Sequence, residues 1–159
     1  MKTLLILRHG KAEPHNEDDK DRSLTDKGVR EARQAGKKIG EKLAPVDLFV
    51  ASDAMRAAQT ARIAAEAASY MAPIDFRDEI YDASLTDLID VIHSIPESAQ
   101  TVVLVGHNPG LEELASYLTG KSYDECALST GALVKIDLPE DWATASKGKG
   151  NLAGRWSPM

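Results

Sequence analysis

The chain has 159 residues, 43% of them hydrophobic and 28% charged, with a net charge of −6 at neutral pH, as expected for one globular domain spanning residues 1–159. The acidic balance argues against nucleic acid as a partner, because a phosphate backbone calls for a broad basic face, and no apolar run reaches the ~20 residues that cross a bilayer. Met1-Lys2-Thr3 leads straight into apolar residues without a small-residue cleavage site, so no signal peptide is read there and the cytoplasm is the expected compartment.

The first element, Lys2–Leu7, is an apolar run read as a strand, and it stops at Arg8-His9-Gly10. A polar loop from Lys11 to Ser23 follows and is expected to be solvated, His15 included. Thr25 is placed to cap the next helix, with Asp26 at the positive end of its dipole. Val29, Ala32, Gly36, Ile39 and Leu43 form one apolar stripe along it. Gly36 and Gly40 lower helix propensity, which close packing of this helix on the sheet would explain.

Pro45 ends that helix, and Val46–Ala51 reads as the second strand. Ser52 or Asp53 is expected to cap an alanine-rich helix running to about Ala68. A short strand near Ile74–Arg77 precedes a helix capped by Ser84 and reaching about His93. Thr101–Val105 is a β-branched run of the kind buried on both faces of a sheet. Asn108 is expected to cap, and Pro109 to open, the helix that reaches about Leu118. Gly131–Leu138 and Asn151–Trp156 read as late strands with an antiparallel member, separated by the turn Lys147-Gly148-Lys149-Gly150.

This order predicts a three-layer α/β/α sandwich on a mostly parallel sheet, in which ligands gather at the carboxyl ends of the strands. Three strand ends carry matching chemistry. The first delivers Arg8 and His9, the second leads through Ser52 to Arg56 in the first turn of a helix, and the third ends in Gly106-His107-Asn108-Pro109-Gly110. Two arginines, two imidazoles and two helix N-termini suit a tetrahedral dianion. One histidine would attack phosphorus while the guanidinium groups neutralise the oxygens and disfavour imidazolium. A backbone carbonyl near Gly10 would hold the other ring nitrogen as the donor.

Arg8-His9-Gly10, the stretch Ser52-(x)3-Arg56-Ala57-(x)2-Thr60-Ala61 and Gly106-His107 together resemble the histidine phosphatase superfamily, the phosphoglycerate-mutase-like fold, over about residues 2 to 137. Arg22-Ser23-Leu24-Thr25-Asp26-Lys27-Gly28 resembles the segment after the first loop in short, SixA-type phosphohistidine phosphatases. The resemblance implies that His9 is the phosphorylated nucleophile, with Arg8, Arg56 and His107 around the phosphate and Arg22 as a further contact. Larger members draw a general acid from the region after the third strand, which makes Glu79 and Asp82 the nearest carboxylates here, with no choice between them. Lys11-Ala12-Glu13 departs from the acidic-then-small pattern common after the glycine.

The expected substrate is phosphohistidine on a partner such as a histidine phosphotransfer domain. An imidazole leaves more readily than an alkoxide, and the chain has no room for a large cap. A small phosphorylated substrate, turned over by a phosphatase or a mutase, is the alternative, and a non-catalytic phosphoprotein binder is the third reading. No metal or other cofactor is expected, and the chain is expected to be a monomer. The other reading of Arg22 is an ion-pair partner of Asp18, Asp19 or Asp21. His93 suits a helix-end dipole, the lone thiol of Cys126 a packed position, and Trp142 and Trp156 packing rather than base stacking.

Overall fold

The structure is a computed structural model that describes residues 1–14, 18–43 and 45–159. His15 therefore lies outside the described residues. Six strands form one sheet: β1 (Lys2–Arg8), β2 (Leu48–Ser52), β3 (Asp75–Arg77), β4 (Thr101–Gly106), β5 (Leu133–Leu138) and β6 (Asn151–Trp156), in the order β3-β2-β4-β1-β5-β6. The first four pair in parallel, and β5 runs antiparallel to both β1 and β6.

Strand alternation splits the core in two. Leu4, Ile6, Val102, Leu104, Val134 and Ile136 face one side, against α3 (Leu85–His93) and α4 (Gly110–Thr119). Leu5, Leu7, Phe49, Ala51, Val103 and Val105 face the other, against α1 (Asp26–Lys42) and α2 (Met55–Ala67). Every residue of β4 is buried, as its β-branched run predicts for the middle of a parallel sheet. The result is the expected α/β/α sandwich. Between β2 and β4 the chain is taken up by α2, β3, a 3-10 turn (Asp78–Ile80) and α3.

Thr25 and Ser84 cap as expected. Thr25 accepts from the Gly28 amide, and Ser84 forms a reciprocal capping box with Asp87. Two other caps are corrected. Neither Ser52 nor Asp53 caps α2, whose N-cap is Ala54 without a side-chain bond; the Ser52 hydroxyl accepts from the Ala54 amide, and Asp53 pairs with Lys20. Asn108 does not cap α4, because its amide nitrogen donates instead to the Leu128 carbonyl at 2.9 Å; Pro109 is the N-cap residue.

Gly36 and Gly40 do not serve the sheet. A Cβ at Gly36 would stand 2.4 Å from the Ala64 carbonyl oxygen and 2.7 Å from the Ala67 Cβ, and one at Gly40 would stand 3.2 Å from the Ala68 Cα. The glycines of α1 thus seat the alanine-rich face of α2, and the two helices meet backbone to backbone. Trp142 is fully buried and donates its indole N–H to the Ala99 carbonyl, and Trp156 packs on the α1–α2 side. Cys126 is buried beside Thr119, and the His93 ring at the end of α3 bonds the Ala145 carbonyl.

Candidate active site

Register brings the functional residues together. Arg8 pairs with Gly106 across β1 and β4, and Ala51 pairs with Val105 across β2 and β4, so the three strand ends lie side by side. The Gly10 turn is tight because α1 begins against it. A Cβ on Gly10 would lie 2.5 Å from the Gly28 carbonyl oxygen, and one on Gly28 would lie 2.1 Å from that of Lys11. Both positions require glycine. The Gly10 amide donates to Thr60 Oγ1, whose own hydroxyl donates to the Arg56 carbonyl, tying the first strand end to α2.

His9 is only 7% exposed. Its Nδ1–H donates to the Gly10 carbonyl at 2.7 Å, which leaves Nε2 with the free lone pair. His107 faces it with ring centroids 5.2 Å apart, and the His107 Nε2 lies 2.8 Å from the Ser52 hydroxyl. Burial lowers the His9 pKa to about 4 despite the Gly10 carbonyl, and the Arg56, Arg8 and Arg22 charges lower it further. Burial likewise lowers His107 to about 3, helped by His9 and Arg56. Both imidazoles are therefore neutral at pH 7.

The arginines surround these rings. Arg8 donates Nη1 to the Leu128 carbonyl at 3.0 Å, and burial lowers its pKa. Arg56 donates Nη1 to the Asp19 carbonyl at 2.8 Å and Nη2 to Asp19 Oδ2 at 3.1 Å. Among the described residues, the buried Arg8 Nε, Arg56 Nε and His107 Nδ1 have no hydrogen-bond partner. Unsatisfied buried donors cost about 1–3 kcal/mol each, and a phosphoryl oxyanion is an acceptor matched to them. The helices α2 and α4 start at this edge without side-chain caps, so their first amides add partial positive charge. Among the described residues no three His, Cys, Asp or Glu side chains converge as metal ligands.

Residues 4–90 match the family model of the histidine phosphatase superfamily (branch 1). The chain belongs to this superfamily. The uncharacterized protein Rv1276c of Mycobacterium tuberculosis (strain H37Rv) is 31% identical over 154 residues, covering 96% of this chain and 91% of that protein. The candidate phosphohistidine phosphatase SixA of Nakamurella multipartitia is 28% identical with a TM-score of 0.88, covering 99% of this chain and 96% of its own. Its counterpart from Agrobacterium tumefaciens is 27% identical with a TM-score of 0.82, covering 99% and 98%.

In this histidine phosphatase superfamily member Arg8, His9, Arg56 and His107 converge, and Arg22 lies close enough to act on His9 electrostatically. Arg22 also makes the ion pair read from sequence, with Asp19 Oδ1 at 3.3 Å. Glu79 and Asp82 are exposed, and neither carboxylate makes a hydrogen bond or ion pair among the described residues. Of the two residues between them, Ile80 is buried in the core and Tyr81 turns toward the site: its ring meets His107 edge-on at 5.6 Å and its hydroxyl donates to Asp19 Oδ2 at 2.6 Å.

The contact of Asp19 with Arg56, and Tyr81, are the parts that sequence reasoning missed. The described parts of the loop expected to be solvated are folded back. Glu13 bonds Ser23, Ala12 bridges Leu24, and a 3-10 turn (Asp19–Asp21) sets Asp19 on Arg56. The Tyr81 hydroxyl, with the arginines, holds the Asp19 carboxyl below its usual pKa, and the same bond raises that of Tyr81. The available signal was the three-residue spacing of Asp19 and Arg22.

Proposed function

We propose that this chain removes a phosphoryl group from a histidine of a partner protein through a covalent phosphohistidine on its own His9. The observation that carries the reading is the His9 ring itself, with Nδ1–H spent on the Gly10 carbonyl at 2.7 Å and Nε2 unprotonated among three guanidinium groups and a second imidazole. The His9 Nε2 lone pair attacks phosphorus as the bond from phosphorus to the substrate nitrogen breaks, and the departing imidazole leaves neutral once its other nitrogen bears a proton. Water then attacks phosphorus, the bond to Nε2 breaks, and inorganic phosphate departs as His9 returns to its starting state. Arg8 and Arg56 balance the charge on the transferring group, with Arg22 at the rim and His107 opposite His9.

Two features favour a protein histidine as donor. The segment between β2 and β4 builds the sandwich itself rather than an inserted cap, so a side chain on a folded partner can reach the floor of the site. Among the described residues no carboxylate hydrogen-bonds either imidazole, which suits a leaving group needing less acid assistance than an alkoxide. The SixA likeness agrees with this substrate. A cytoplasmic phosphotransfer domain in a signalling relay is the partner this reading names.

With a chelator present, a phosphohistidine-bearing phosphotransfer domain should release phosphate faster than a phosphosugar or a phosphorylated carboxylic acid, and His9→Ala should abolish release. Full activity in that variant removes the nucleophile assignment. Preference for a small ester moves the substrate to that class, and isomerisation without phosphate release makes the protein a mutase.

A further inference from the structure

The Ser52 side chain carries a hydrogen-bond account that closes in only one way. Ser52 is fully buried. Its Oγ accepts from the Ala54 amide at 3.2 Å and lies 2.8 Å from the His107 Nε2, and these are its side-chain partners among the described residues. A hydroxyl offers one proton and two lone pairs. If the His107 Nε2 carried a hydrogen, Ser52 Oγ would accept twice and its own proton would be buried without an acceptor. Such a loss costs about 1–3 kcal/mol. A doubly protonated His107 would meet the same penalty.

We infer that Ser52 donates its hydroxyl proton to the His107 Nε2 and so fixes the tautomer of His107 that carries hydrogen on Nδ1. That Nδ1 is one of the buried atoms without a partner among the described residues, so this tautomer leaves one group unpaired, the Nδ1–H, whereas the other would leave two, the Ser52 hydroxyl proton and the bare Nδ1. The two imidazoles are thereby set in opposite senses by their neighbours. The Gly10 carbonyl takes the Nδ1–H of His9 and leaves a lone pair on Nε2, whereas the Ser52 hydroxyl fills the lone pair of His107 and leaves an N–H. One ring can attack phosphorus, and the other can donate to a phosphoryl oxygen while neutral. Ser52 is a positioning residue, since it acts through His107. Its role in turnover rests on His9 as the phosphoryl acceptor, but the tautomer itself does not.

The same account explains the missing cap. A serine at the end of β2 is two residues short of the N-cap of α2, and its oxygen is already shared between the Ala54 amide and the imidazole.

The test is nitrogen NMR of the wild-type protein with 15N-labelled histidine near pH 7.5, with the His107 signals identified by their absence in His107→Gln. Protonated Nδ1 with bare Nε2 is the expected result, and protonated Nε2 overturns the inference. In Ser52→Ala the Nε2-protonated form should gain population, and phosphorylation of His9 by a small phosphoramidate should slow about ten-fold or more in its maximal rate. An unchanged tautomer in that variant also overturns the inference. The wild-type spectrum decides the matter even if the variant folds poorly. Failure to hydrolyse phosphohistidine would retire the substrate reading alone and leave the spectrum standing.

Discussion

Lowering the pH from 7 to 5 in phosphate-free buffer should destabilise the fold by about 3–4 kcal/mol through His9 and His107 alone. Folded, these imidazoles titrate near pH values of about 4 and about 3, chiefly because burial penalises the charged form. Unfolded, each returns to roughly 6.5. Between those limits the unfolded chain binds more protons than the native one, so stability rises with pH and is lost as pH falls. At pH 7 both states are nearly neutral. At pH 5 the unfolded imidazoles are almost fully charged and the folded ones are not, a difference of about 2 kcal/mol per group. For a domain of this size that lowers the melting temperature by on the order of 10 °C. The depressed Asp19 carboxyl works in the same direction, but below about pH 4, outside this window. Thermal unfolding at pH 5, 6 and 7 measures the slope, and His107→Asn should remove about half of it. An equal slope in the wild type and in a variant lacking both imidazoles would refute the burial argument.

Three further outcomes follow from the geometry. Gly36→Ala should cost about 1–3 kcal/mol in denaturant unfolding, because its Cβ would stand 2.4 Å from the Ala64 carbonyl oxygen; stabilisation, as helix propensity alone would give, would contradict the tight helix seam. Asp19→Asn keeps the shape but removes a negative charge from Arg56, so inorganic phosphate should inhibit about five-fold more tightly; weaker inhibition would mean that Asp19 matters more for holding Arg56 than for repelling the anion. Glu79→Gln and Asp82→Asn, which touch exposed carboxylates without partners among the described residues, should each leave phosphohistidine turnover within about two-fold. A ten-fold loss in either would assign the general-acid role to that residue.

The parts of this protein that sequence made readable are those where one physical signal dominates. The β-branched run Thr101–Val105 can only be a buried strand, and glycine and cation directly after an apolar run mark a functional strand end. Arg56 and His107 follow because each trails its own strand by a fixed short distance. Asp19 was hidden because it meets Arg56 across 37 residues from a polar loop with no periodicity to read. Tyr81 was hidden by chemistry, since carboxylates on either side of it looked like better acids. Tyr81 follows directly on the 3-10 turn Asp78–Ile80 with extended backbone, so its direction depends on where that turn stops, which the sequence does not display. The glycines of α1 announced a close approach without naming its partner, because the complementary alanines of α2 also suit a sheet.

The Gly10 carbonyl has a consequence for the regiochemistry of the intermediate. With one ring nitrogen of His9 engaged by the main chain, the phosphoramidate of the proposed reaction would form as a single positional isomer, on the nitrogen remote from the backbone. On the proposed reaction the donor imidazole would be under no such restraint, so either isomer of it could be drained into the same one.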